Sequence, residues 1–220
     1  MNEKIKILMV SLTSKVGGGP NHMFLLGEIL NANFEIFYGF PKSSHYSKNL
    51  NEKNYLNISE RKISFIDIFR ILKIIRLYKI DILHAHGKGA GALLRIIRLF
   101  TKKPVIYTFH GIHLNLDNLF SRCFYLAYEN LFGLLDSHKI FVSQSEKIYA
   151  KKNKIFIGKN FSIINNGVKN KKIKSFDEKN IEKIRVISVN RLVKQKNIFE
   201  LISIASLLEH INFNVIGDGP

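Results

Sequence analysis

The sequence is short of cysteine, proline and acidic residues, and it has no tryptophan. One Cys in 220 residues, Cys123, excludes an internal disulfide framework and fits a reducing compartment. By itself it reads as a small buried apolar residue on a helix. With only 4 Pro and 14 Gly, and no biased tract or internal repeat, collagen-like and low-complexity classes are excluded. Long apolar runs are missing too. Residues 4–10 hold an apolar run too short for a signal peptide, with no small-residue cleavage site after it, so they read as a first buried strand. Nothing approaches the ~18 apolar residues of a membrane span, so any membrane contact is expected to be peripheral. The acidic shortfall, 17 Asp+Glu against 34 Lys+Arg, leaves a net charge of +17. A charge of that size calls for an anionic partner: nucleic acid, an acidic membrane face or a phosphate-bearing ligand. What is present, 46% hydrophobic and 23% charged residues, is the composition of a globular chain.

Short β-branched runs at residues 5–11, 34–40, 81–86, 105–110, 139–143, 162–165, 185–190 and 213–216 predict strands. Between most of them lie helix-length segments with apolar residues at three- and four-residue spacing. This alternation predicts an α/β fold, a doubly wound parallel sheet with helices on both faces. Such sheets bind ligands beyond the C-terminal ends of their strands. The rhythm breaks after Asn166, in a Lys-rich, apolar-poor stretch that runs to Lys183. The expected organisation is a first domain over 1–167, a linker over 168–184, and at 185–220 the start of a second, incomplete Rossmann-like domain. Two strands and one helix cannot bury a core of their own.

Several groups at predicted strand ends carry chemistry. Gly17-Gly18-Gly19-Pro20 sits between the first strand and a helix expected over 21–30. Glycines there let backbone N–H groups approach a ligand, and a helix N-terminus favours negative charge. The spacing is neither the dinucleotide fingerprint nor a phosphate loop, and an ordinary tight turn fits it as well. His84 and His86 lie in Asp81-Ile-Leu-His-Ala-His-Gly87, and His110 in Tyr107-Thr-Phe-His-Gly-Ile-His113. An imidazole at such an edge can donate to a ligand oxygen, act as a base or bind metal. No carboxylate or Cys completes a ligand set, so no metal is expected. His84 is read as a core histidine on the face opposite His86. In Val189-Asn-Arg191-Leu-Val-Lys-Gln-Lys196-Asn197, Arg191 closes a strand and Lys196 opens a helix, an arrangement suited to a diphosphate. A plain basic loop is the alternative.

Taken in order, these segments resemble the family 4 retaining glycosyltransferases of GT-B fold. The matching segments are Gly17-Gly18-Gly19, Asp81 to His86, Val105 to Gly111, Ile140-Phe-Val-Ser143, Ile163-Ile-Asn-Asn-Gly-Val168, Val189 to Lys196 and Val215-Ile-Gly-Asp-Gly-Pro220. The resemblance implies transfer of a glycosyl group from a nucleotide-sugar to a glycan or lipid-linked acceptor of the cell surface, with retention and no cofactor. It implies that Arg191 and Lys196 bind the donor diphosphate and that Gly18 and Gly19 approach its phosphates. It further implies that His110 contacts the transferred sugar, and that Gly17, His86 and Asn166 belong to the acceptor side of the cleft. Asn190 stands where the family usually has Gly. The sequence stops at Pro220, before the position of the family's Glu-x7-Glu pair. A truncated chain, a split gene and a two-polypeptide enzyme all fit that ending. The alternative to an enzyme is an acceptor-binding or membrane-recruiting subunit that needs a partner to supply the donor domain.

The remaining positive charge falls on predicted helices. Over 64–79, Arg70, Lys73, Arg76 and Lys79 form a stripe opposite Ile68, Ile71, Leu72 and Ile75, and the basic segment 95–103 is expected to behave alike. Such faces read as solvated, or as attachment to the inner face of an anionic membrane from the cytoplasm. No helix-turn-helix, zinc motif or aromatic-basic sheet pattern supports nucleic-acid binding.

Overall fold

The computed structural model describes residues 3–42, 45–46, 50–112, 118–155, 158–170, 184–208 and 210–219, with Gln195 through its backbone only. His113, most of the expected linker and Pro220 lie outside the described residues. The chain divides into two compact units, residues 1–169 and 170–220.

The first unit runs β1 (Lys6–Val10), α1 (Gly18–Leu30), β2 (Glu35–Phe40), β3 (Tyr55–Asn57), α2 (Phe65–Tyr78), β4 (Ile82–His86), α3 (Lys88–Thr101), β5 (Val105–Thr108), α4 (Leu119–Phe132), β6 (His138–Phe141), α5 (Gln144–Lys152) and β7 (Phe161–Ile163). The seven strands are all parallel, in the order β3-β2-β1-β4-β5-β6-β7. Strand order therefore reverses between β1 and β4, and a crevice opens at their C-terminal ends. Strands β1 and β2 are apolar on both faces because both are covered. Met23 of α1 packs with Ile7, Met9, Ile36, Tyr38 and Phe40 on one side. On the other, residues of α2, α3, α4 and α5 cluster around Leu8, Val10, Phe37, Leu83, Val105 and Phe141.

Local signals explain the helix ends. Ser64 caps α2 by accepting from the Ile66 N–H at 3.2 Å, and Lys79 ends it in the left-handed conformation. Lys102 ends α3 in the same way, two residues before Pro104. The basic stripe of α2 is exposed as expected, while Ile71 and Ile75 are buried.

Four expectations change. The helix after β1 begins at Gly18 rather than residue 21, so Gly18 and Gly19 form its first turn. Strand β3, only 3 residues long, had no periodic signal of its own. Cys123 is exposed on α4. The basic segment 95–103 is not an outward stripe, because Arg95 is 1% exposed and Arg98 is bonded to Ser137.

The second unit holds β8 (Arg185–Val189), α6 (Ile198–Leu207) and β9 (Asn212–Ile216), with β8 and β9 parallel. After the strands, Asn190 N–H donates to Ile216 O at 3.1 Å and Leu192 N–H to Asp218 O at 2.9 Å. A Cβ on Gly217 would collide with the Asn190 carbonyl, and one on Gly219 with that of Leu192. Glycine is therefore required where these two backbones meet.

Candidate active site

The first unit gathers its unusual residues at the C-terminal edge of the sheet, beside the β1/β4 reversal. His84 and His86 occupy alternate positions of β4, so a period of two puts them on one face. Their ring centroids are 4.2 Å apart. The expectation that His84 faces away from His86 is wrong for that reason. His110 follows β5, and its Nε2 lies 3.0 Å from Nδ1 of His86. A fourth ring, His22 from the second turn of α1, sits 5.1 Å from His110 and 5.8 Å from His86, centroid to centroid. His84 pairs through Nε2 with the buried Thr108 hydroxyl at 2.8 Å.

Two glycines fix this arrangement. Gly87 follows His86 with φ +84°, and Gly111 follows His110 with φ +97°. Only glycine adopts such backbone readily, so the chain turns away immediately after each histidine and leaves the ring at the strand end. Glu146, buried at the start of α5, accepts from Gly111 N–H at 2.7 Å and from Val142 N–H at 2.9 Å. It thereby ties the His110 turn to the end of β6.

The glycine turn closes the other side. A Cβ on Gly19 would stand 3.3 Å from the His110 ring, so α1 presses its first turn directly against this imidazole. The early amides of a helix lack internal partners, and Pro20 has none to offer. Gly18 and Gly19 therefore supply the free donors, with no acidic side chain in the turn to repel an anion. Gly17 precedes them as an extended cap. Asn166 follows β7, and its side chain acts on His22 to raise its pKa against the larger, lowering effect of burial.

Burial sets the electrostatics. It lowers His84 to about 3 and His110 to about 4, and neighbouring imidazoles reinforce both shifts. His86 is held well below its usual range by the same causes, and burial also lowers His22. At neutral pH the cluster is uncharged. Its rings can donate to, or accept from, the hydroxyls of a polar ligand without adding charge. Among the described residues, no group of three or more His, Cys, Asp or Glu is arranged to hold a metal ion.

The remaining two predicted site residues belong to the second unit. Arg191 follows β8, and Lys196 ends a turn of 3₁₀ helix over Lys194–Lys196; both are exposed. The expected placement of Lys196 at the opening of a helix is shifted, since left-handed Asn197 separates it from α6.

A model of the family described as Glycosyltransferase Family 4 matches residues 16–172, which includes the glycine turn, all four histidines and Asn166. The chain belongs to glycosyltransferase family 4. A Klebsiella pneumoniae protein described as an uncharacterized 41.2 kDa protein in the cps region is 29% identical over 187 residues, 78% of this chain and 51% of that one. Among solved structures, Anabaena Alr3699/HepE in complex with UDP and glucose superimposes with a TM-score of 0.71 at 15% identity, over 98% of this chain and 62% of that one. A glycosyltransferase from Rickettsia africae gives 0.64 at 17% identity, over 98% and 69%. The chain thus spans about half to two thirds of the length of these relatives. The sheet and its flanking helices match the Rossmann-like GT-B fold of these enzymes.

Within this family-4 site, sequence reasoning missed His22 and Glu146. His22 stands three residues after Gly19, at the spacing that returns a helical side chain to the same face. Glu146 was legible as the last member of Ser143-x-x-Glu, a capping box whose Ser143 hydroxyl accepts from the Glu146 N–H at 3.1 Å.

Proposed function

We propose that this chain is the acceptor side, with the opening of the donor side, of a retaining glycosyltransferase. The enzyme transfers a sugar from a nucleotide-sugar to a glycan or lipid-linked acceptor in cell-surface polysaccharide assembly, at the cytoplasmic face of the membrane. The observation that carries this reading is the neutral His110 ring beside Gly19, in the helix turn where Gly18 and Gly19 offer their amides. It joins a hydroxyl-binding group to an anion-binding helix end within one edge of the sheet. The relative from a cps region supports the pathway, and neighbours crystallised with UDP or UDP-glucose support the donor class.

In this mechanism Arg191 and Lys196 bind the diphosphate. These two cations, both on the second unit, offset the charge that develops on the leaving group. His110 hydrogen-bonds a hydroxyl of the sugar being transferred. His86 orients His110, and Asn166 orients His22.

Titration of the 220-residue chain with UDP in a calorimeter tests the donor half. Arg191→Ala is expected to weaken binding by roughly 10- to 100-fold, the range of a charge-assisted hydrogen bond. Equal binding by the variant removes Arg191 from the clamp. Incubation with a panel of sugar nucleotides and lipid-linked acceptors tests turnover. UDP binding without turnover across that panel favours the second reading, a binding half that needs a partner for its donor domain.

A further inference from the structure

Among the described residues, nothing covers one whole side of helix α4. Phe120, Phe124 and Leu131 are 82%, 68% and 65% exposed, and with Leu119, Ala127 and Leu134 they make an outward ridge without a charge on it. The spacing is helical, yet the face that usually carries polar residues is the apolar one. Exposed aromatics gathered on one helix are costly in water and mark a contact surface.

What lies beside the ridge indicates the partner. The other edge of α4 is stitched to the end of α5: the Arg122 guanidinium donates to Asn153 Oδ1 at 3.3 Å, and the Asn130 amide donates to Lys154 O at 3.0 Å. Between them opens a cavity of about 490 Å³ whose lining includes Asn130, Lys147, Lys151 and Lys154. Residues 144–160 carry five Lys (147, 151, 152, 154 and 159) against one acid, Glu146. That acid is turned inward onto backbone amides, so none of it offsets the lysines outside. An apolar ridge bordered by uncompensated cations is complementary to a bilayer with anionic headgroups, where aromatics enter the interface and lysines meet phosphates. A second copy suits it less well, since a twofold contact would bring two lysine borders together.

We propose that the outward face of α4, together with the lysines of α5 and its following turn, docks this protein on an anionic membrane with lipid phosphate in the α4–α5 cavity. This surface is distinct from that of α2, where the basic stripe stands beside exposed Phe65, Ile66 and Phe69, and substitutions on both surfaces compare the two. It deepens the lipid-linked acceptor reading by naming the surface that meets the lipid, and vesicle binding can fail while UDP binding survives.

The lone cysteine offers a direct probe, because Cys123 is exposed on α4 between Phe120 and Phe124. The full chain is labelled there with an environment-sensitive fluorophore and mixed with vesicles of phosphatidylcholine, alone or with phosphatidylglycerol. Co-sedimentation is followed in parallel on unlabelled protein. The expected result is a blue shift and sedimentation with anionic vesicles only. Phe120→Ser/Phe124→Ser is expected to abolish the sedimentation. Lys151→Gln/Lys154→Gln should weaken it roughly 25-fold, about fivefold for each cation near the surface. Arg70→Gln/Lys73→Gln/Arg76→Gln on α2 is expected to change it less than threefold. All the substituted side chains are exposed, and circular dichroism checks that each variant is folded. Three outcomes overturn the proposal: no vesicle binding, a loss on α2 as large as that on α5, or a dimer in sedimentation equilibrium that Phe124→Ser converts to monomer.

Discussion

The histidines of the cleft are linked to stability through protonation. Each unfolded imidazole takes up a proton near pH 6.5, whereas His84 and His110 do so at about 3 and about 4 when folded, and His86 is also held far below the usual value. From pH 6.5 down to those values the unfolded chain binds more protons, so stability falls as pH falls. Between pH 7 and pH 5.5 each such residue is expected to cost about 1 kcal/mol, and the three together roughly 3 kcal/mol. Urea unfolding at the two pH values measures this, and an unchanged midpoint would contradict a neutral buried cluster. Gly19 offers a second test at this scale. A methyl group there stands 3.3 Å from His110, so Gly19→Ala shifts the ring slightly and Gly19→Val must displace it. His110 reports this by NMR: Gly19→Val is expected to alter its imidazole resonances while those of the distant His138 stay in place.

Between elements, the largest buried commitment is the ionic cluster that joins α3 to the segment before β6. The Arg95 guanidinium donates to Asp136 at 2.7 and 2.9 Å and to Glu129 at 2.9 Å. Lys139 meets Asp136 at 3.2 Å, and the Arg95 guanidinium also lies over the Tyr107 ring at 4.8 Å. All four charged side chains are almost wholly buried. Two cations against two carboxylates balance, and removing one partner leaves a charge without compensation. Arg95→Ala is therefore expected to lose about 3–5 kcal/mol in urea unfolding, and a loss under 1 kcal/mol would show that the carboxylates find other partners.

This cluster also shows where sequence reading stops. Helix α2 was legible because its cap, apolar face and basic face all agree along one stretch of chain. Helix α3 carries Arg at three-residue spacing in the same style, but its Arg95 is turned inward by Glu129 and Asp136, 34 and 41 residues downstream. Local periodicity contains no term for such a partner. The histidine cluster failed in part for a simpler reason, since the period of two along β4 already implied that His84 and His86 share a face. His22 and Glu146 join the site through contacts with residues far along the chain, although their spacing offered a hint.

At the scale of the whole molecule, the two units differ in how well they bury themselves. In the first, β1 is covered on both faces, and β1, β4 and β5 together hold much of the apolar core of the unit. In the second, Phe199 and Leu207 of α6 are each 80% exposed, and Ile187, Val189 and Ile202 are exposed as well. Among the described residues of this unit, two strands and one helix leave one face of the sheet without a covering layer, so little apolar burial opposes chain entropy there. Local opening of β8, α6 and β9 is then expected at a small fraction of the free energy that opens the first unit. Hydrogen exchange followed by mass spectrometry reads this peptide by peptide. Amides of β8 and β9 should exchange at least a hundredfold faster than those of β1 and β4 under the same conditions. Saturating UDP should slow β8 and β9 selectively if Arg191 and Lys196 bind diphosphate, because a ligand that binds only the folded form stabilises it. Protection of β8 equal to that of β1 without ligand would mean that the second unit is stable by itself. Slowing by UDP confined to the first unit would move the phosphate site to the Gly18–Gly19 helix end.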